Sequence, residues 1–136
     1  MSLVENYYQI TIASHPENIV ELEEFIEQIR EEQEVSSEAY GNILIGITEA
    51  VNNCMFHGNL LDKSKNVRVT CTRENDELVF VASDEGVGFK YNDLPDPTSP
   101  ENIEKTTGRG VFLMKQLADG LLYTDNGATV EMRFKL

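Results

Sequence analysis

The sequence predicts an α+β two-layer sandwich: a mixed, largely antiparallel sheet of about five strands covered on one face by three helices. Two patterns and one spacing predict it. Short runs rich in β-branched and aromatic residues, near 7–13, 67–72, 78–83, 121–123 and 128–134, read as strands. Stretches near 16–33, 36–58 and 110–118 instead repeat their apolar residues at helical spacing. Two pairs of strand-like runs are separated only by tight polar turns, and a short turn can join only antiparallel neighbours.

The chain opens with the strand-like YYQITIA at 7–13. Ile19, Leu22, Ile26 and Ile29, joined by Val20 and Phe25, then form the inner face of an amphipathic helix. Ser14 or His15 stands near its cap, and Pro16 suits its first turn, where no backbone donor is needed. Glu21, Glu23, Glu24, Glu27, Glu31 and Glu32 load the outer face, the pattern of a solvated surface.

The stretch 36–58 predicts one long helix that the rest of the chain supports. Tyr40, Ile43, Leu44, Ile47, Ala50, Val51 and Cys54 recur on a single apolar face suited to packing on a sheet. Ser36 or Ser37 is the expected N-cap, and Gly58 the expected left-handed stop. Glu49 and Asn53 share the opposite, polar ridge with Asn42, and His57 lies further round. His57 reads as a helix-end residue interacting with the C-terminal dipole.

A polar turn at 59–65 leads to a hairpin of two strands, 67–72 and 78–83, joined through Arg73-Glu74-Asn75-Asp76. From Asp84 to Gly108 no hydrophobic period survives, and three of the four prolines fall here. So long an irregular segment in a small domain is usually functional, and a lid over a site at about 90–108 is expected. A helix at 110–118 follows, with either Val111, Met114 and Leu117 or Phe112 and Leu113 turned inward. A last hairpin turns at Asp125-Asn126-Gly127, where Asn-Gly is a strong turn signal.

One domain of 136 residues is long enough to bury a core without staples. The balance of 24 acidic against 11 basic residues, a net charge of −13, repels nucleic-acid phosphate and anionic membrane, so neither is an expected partner. Any polyphosphate ligand must therefore be held by local backbone dipoles and a metal ion rather than by the overall field. Cys54 and Cys71 have no metal-ligand spacing and read as reduced core residues of a cytoplasmic protein.

Three segments carry candidate chemistry. Glu49-x-x-x-Asn53 places a carboxylate and a carboxamide one helical turn apart. Asp84-x-Gly86-x-Gly88 puts an acceptor at a strand end, followed by glycines that allow close backbone approach to a ligand. Gly108-Arg109-Gly110-Val111 opens a helix whose free N–H groups suit phosphate. Each alone is common; in this order they are specific.

Together they resemble the N, G1 and G2 boxes of the GHKL ATPase superfamily, which includes gyrase subunits and histidine kinases. The wording ITEAVNNCMFHGN is most similar to bacterial anti-sigma-factor serine/threonine kinases. The resemblance covers essentially the whole chain and implies a Bergerat-type ATP-binding fold with ATP and Mg²⁺ as ligands. It implies that Glu49 is the catalytic base and that Asn53 binds the metal. Asp84 would accept from the adenine amino group, and Gly86 and Gly88 would pass against the nucleotide. Gly108, Arg109, Gly110 and Val111 would wrap the phosphates, and Thr129 would reach adenine through water.

The implied function is phosphorylation of an anti-sigma-factor antagonist, together with sequestration of a sigma factor, by a protein that is usually a homodimer. The first strand and helix are the candidates for that dimer contact. An alternative is an ATP-binding module that controls partner docking with little kinase activity, though an intact Glu49 argues against it. A detached domain phosphorylating histidine on a partner is a third reading, against which the wording of the Glu49 helix counts.

Overall fold

The computed structural model describes residues 6–86 and 109–136. The expected lid at about 90–108, with Gly88 and Gly108, lies outside the described residues. Among the described residues are five strands and three α-helices: β1 (Tyr7–Ala13), α1 (Ile19–Glu32), α2 (Ser37–Asn53), β2 (Asn66–Glu74), β3 (Glu77–Ser83), α3 (Arg109–Leu117), β4 (Gly120–Thr124) and β5 (Thr129–Lys135). The sheet runs β1-β2-β3-β5-β4, and each of its pairings is antiparallel. β5 therefore lies between β3 and β4, which brings the start of β5 beside the end of β3, with Ser83 opposite Thr129.

Period-two alternation decides which face is covered. Ile12, Val67, Val69, Cys71, Leu78, Phe80, Met132 and Phe134 are almost completely buried beneath the helices. The outward set is mostly polar and partly exposed, as at Gln9, Arg68, Glu131 and Arg133, although Val79 on the same face is buried. Phe80 and Phe134 meet edge to face with ring centroids 6.0 Å apart.

Leu22, Ile26 and Ile29 of α1 and Ile43, Ile47 and Val51 of α2 seal the covered face. Each such side chain contributes about 1.5–3 kcal/mol by leaving water. Tyr8 ties the edge strand to α1, its hydroxyl donating to Glu32 Oε1 at 3.0 Å and accepting from Gln33 Nε2 at 2.9 Å.

Several local expectations change. The expected first helix begins with a separate 3₁₀ turn, Pro16–Asn18, capped by His15 Nδ1, which accepts from Glu17 N at 3.2 Å. Val20 is 57% exposed and does not join the inner face, because at about 100° per residue it points away from Leu22 and Ile29, while Ile19 packs on the core. In α3 Met114 is fully buried and Leu113 exposed, which selects the phase in which Met114 rather than Leu113 turns inward.

Candidate functional site

α2 begins where its sequence says it should. Ser36 is the N-cap, its Oγ accepting from Ala39 N at 3.2 Å. Glu49 and Asn53 occupy the last turns of α2, both half-buried. No hydrogen bond or ion pair among the described residues engages either side chain. The helix does not run regularly to Gly58: Cys54–Gly58 form a π turn, closed by the Asn59 N–H donating to Cys54 O at 2.7 Å.

Gly58 is also not a left-handed stop. Among the described residues Gly127 is the glycine with positive φ, at 94°, while Leu60 and Leu61 take the left-handed conformation at 52° and 56°. The wider turn delays the reversal of the chain, and Gly58 serves a steric need instead. A Cβ there would lie 2.1 Å from Asp84 Oδ2, and one on Gly86 would lie 2.1 Å from Gly58 O. Two glycines thus let the end of β3 press against the end of the α2 segment.

Asp84 sits in that contact. Its N–H donates to Ala128 O at 2.9 Å, and its Oδ1 accepts from Gly86 N at 2.8 Å. The Cys54 thiol, on the residue after Asn53, donates to the same carboxylate. Burial pushes the Asp84 carboxyl above its ordinary range, against the opposing pull of the Gly86 N–H, the thiol and Lys65. Cys54 is itself pushed up, first by burial and then by the Asp84 charge. Cys71, also free and buried, is pushed up to about 12 by burial alone.

Thr129 lies beside this carboxylate's strand, its Oγ1 donating to Asp125 Oδ2 at 2.9 Å. Arg109, Gly110 and Val111 form the first turn of α3, which packs along α2. His57 is exposed on the π turn. The fold therefore gathers Asn53, Asp84, Gly86 and Thr129 at one end of the sheet, beneath a helix that also carries Glu49.

Sequence reasoning missed one residue altogether. Asn59, read as part of a polar turn, is 1% exposed. Its Nδ2 donates to Ser14 Oγ at 2.7 Å and to Asn66 O at 3.0 Å, and its Oδ1 accepts from Glu85 N at 2.8 Å. The Glu85 carboxylate in turn accepts from Asn66 N. A lone asparagine after glycine carries no periodic signal that would have revealed this.

Comparison with known proteins adds the family. The histidine kinase-like ATPase domain matches residues 12–134. The chain belongs to this family. Membership of this family implies ATP as a ligand. Relatives include the serine-protein kinase RsbW of Bacillus licheniformis, 25% identical over 97% of this chain and 87% of that protein. The anti-sigma F factor of Clostridium perfringens is 30% identical over 70% of this chain and 71% of that protein. Among the described residues no helix is long and apolar enough to cross a membrane.

The donor set suits a hard cation. Asn53, the residue expected to hold the ion, offers a carboxamide oxygen that no other described side chain engages. An ion held by few protein oxygens and completed by phosphate is the usual arrangement for Mg²⁺.

Proposed function

We propose that this ATPase-family chain is a protein kinase that transfers the γ-phosphoryl group of ATP to a serine or threonine of a small anti-sigma-factor antagonist, and that it sequesters a sigma factor when that antagonist is unavailable. The two kinds of partner would exclude one another, making a partner switch in the cytoplasm. The observation that carries the reading is the junction of the Glu49 and Asn53 helix with Asp84 through Cys54, Gly58 and Gly86. On this reading it would set a group for the base of the nucleotide within one element junction of two groups for its reacting end.

Asp84 would accept the adenine amino hydrogen, an interaction strengthened by its charge and partial burial. Asn53 would hold Mg²⁺, which offsets phosphate charge when bound. Gly108, Arg109, Gly110 and Val111 would bind phosphate at the start of α3, with Gly88 passing against the nucleotide. Glu49 would take the proton of the incoming hydroxyl as its oxygen bonds to the γ-phosphorus and the bond to the ADP oxygen breaks. Such transfer asks chiefly for alignment and charge stabilisation. The names of the relatives support the partner classes, and a homodimer through β1 and α1 belongs to the same proposal.

The test is incubation of the purified protein with labelled Mg-ATP and the small antagonist-like proteins of its own organism. Glu49→Gln should keep ATP affinity while transfer slows by roughly 10²-fold, the scale of a lost general base. Unaltered transfer would place the base elsewhere. Tight ATP binding with no transfer to any candidate would favour a nucleotide-gated docking module.

A further inference from the structure

Asn59 is fully buried and uses its carboxamide in both directions. One end donates to Ser14 Oγ and Asn66 O, at the close of β1 and the start of β2. The other accepts the N–H of Glu85, the residue next to Asp84, at 2.8 Å. Asn59 is itself bonded to the π turn through its N–H to Cys54 O. One side chain thus joins three segments: the end of the α2 region, the β1–β2 corner and the turn that bears Asp84.

That turn has few other ties. Asp84 is tied by its N–H to Ala128 O and by its carboxylate to the Cys54 thiol, and Gly86 packs on Gly58; Glu85, between them, is held by the Asn59 contact and by its own carboxylate on Asn66 N. A carboxylate selects a purine only if its position relative to the base is fixed. Half an ångström of freedom at Glu85 would blur the difference between an amino group and an oxo group on the ring.

We infer that Asn59 is a positioning residue for base selectivity, acting through the Glu85 N–H to hold Asp84 where it distinguishes an adenine amino group from other purines. The inference rests on the assignment of Asp84 to adenine made above. A residue of purely structural importance would affect stability and every nucleotide alike. A positioning residue affects the base-specific part of binding.

The experiment compares affinities for ATP and inosine triphosphate, which carries an oxo group in place of the amino group, in the unaltered protein, Asn59→Ala and Ser14→Ala. Asn59→Ala should weaken ATP by about tenfold and inosine triphosphate by no more than about twofold, so the preference collapses. Ser14→Ala removes an acceptor of the same side chain but leaves the Glu85 contact, and should lower Tm while keeping the preference.

A folded Asn59→Ala that discriminates as well as the unaltered protein overturns the role of Asn59 alone. An unaltered protein that binds the two nucleotides equally overturns the adenine assignment, and the inference with it. Should Asn59→Ala fail to fold, amide exchange in the unaltered protein decides. The Glu85 N–H should exchange at least about a hundredfold slower than a solvent-exposed amide. Exchange at the exposed rate overturns the inference.

Discussion

Asp84 meets opposed demands. Its carboxyl is raised above the ordinary range chiefly by burial, so the folded protein holds its proton more tightly than the unfolded chain does. The stability contributed by that preference is present at pH below the ordinary carboxylate range and is lost as pH rises through the raised value. At about pH 7 the ionised group therefore costs stability in the absence of nucleotide. Asp84→Asn should accordingly melt at a higher temperature than the unaltered protein near neutrality, the gap closing as the solution is acidified, while ATP affinity is mostly lost. Thermal melts across the acid range with and without Mg-ATP check both halves; a variant that melts lower at neutral pH would mean that the hydrogen bonds of the carboxylate outweigh its burial. Gly58 makes a second residue-scale case. A methyl group placed 2.1 Å from Asp84 Oδ2 must displace either the carboxylate or the π turn. Gly58→Ala should cost roughly 1–3 kcal/mol in urea denaturation and weaken ATP binding together, whereas an ordinary helix stop would lose little affinity.

α2 is the element on which the site depends, and its two ends are built differently. The Ser36 cap satisfies an orphan donor at the start, so Ser36→Ala should lose about 1 kcal/mol by chemical denaturation without altering nucleotide affinity. The middle is held by burial: Ile47 is 1% exposed beneath the neighbouring elements. Ile47→Ala should cost about 2–5 kcal/mol, and because Glu49 and Asn53 ride on the same turns, activity should fall with stability. The far end abandons regular helix at Asn53, and this could not be read from the sequence. Apolar spacing reports which face is buried, and Cys54 and Met55 remain buried through the π turn. Spacing alone does not reveal one extra residue in a turn.

For the molecule as a whole, a net charge of −13 is concentrated in part on the exposed face of α1. Raising salt from about 0.01 to 1 M shortens the screening length from about 30 to 3 Å. The melting temperature of the nucleotide-free protein should rise over that range, as self-repulsion weakens. A fall would mean that surface ion pairs such as those of Arg133 with Glu74, Glu77 and Glu131 dominate instead.

The sequence by itself determined the two layers, all five strands to within two residues at each end, the helix carrying Glu49 and Asn53, and the three motifs with their family resemblance. These are legible because they rest on local chemistry: alternation, helical spacing, a serine cap, an Asn-Gly turn, glycines beside a strand-end carboxylate. Only the tertiary structure decided that β5 lies between β3 and β4, that Gly58 makes room for Asp84, and that Asn59 is buried and bonded to Ser14 and Glu85. Those contacts join residues from 26 positions apart, as Asn59 and Glu85, to 58 positions apart, as Glu77 and Lys135, and a contact of that kind leaves no period in the chain; it exists only once the sheet has closed around it.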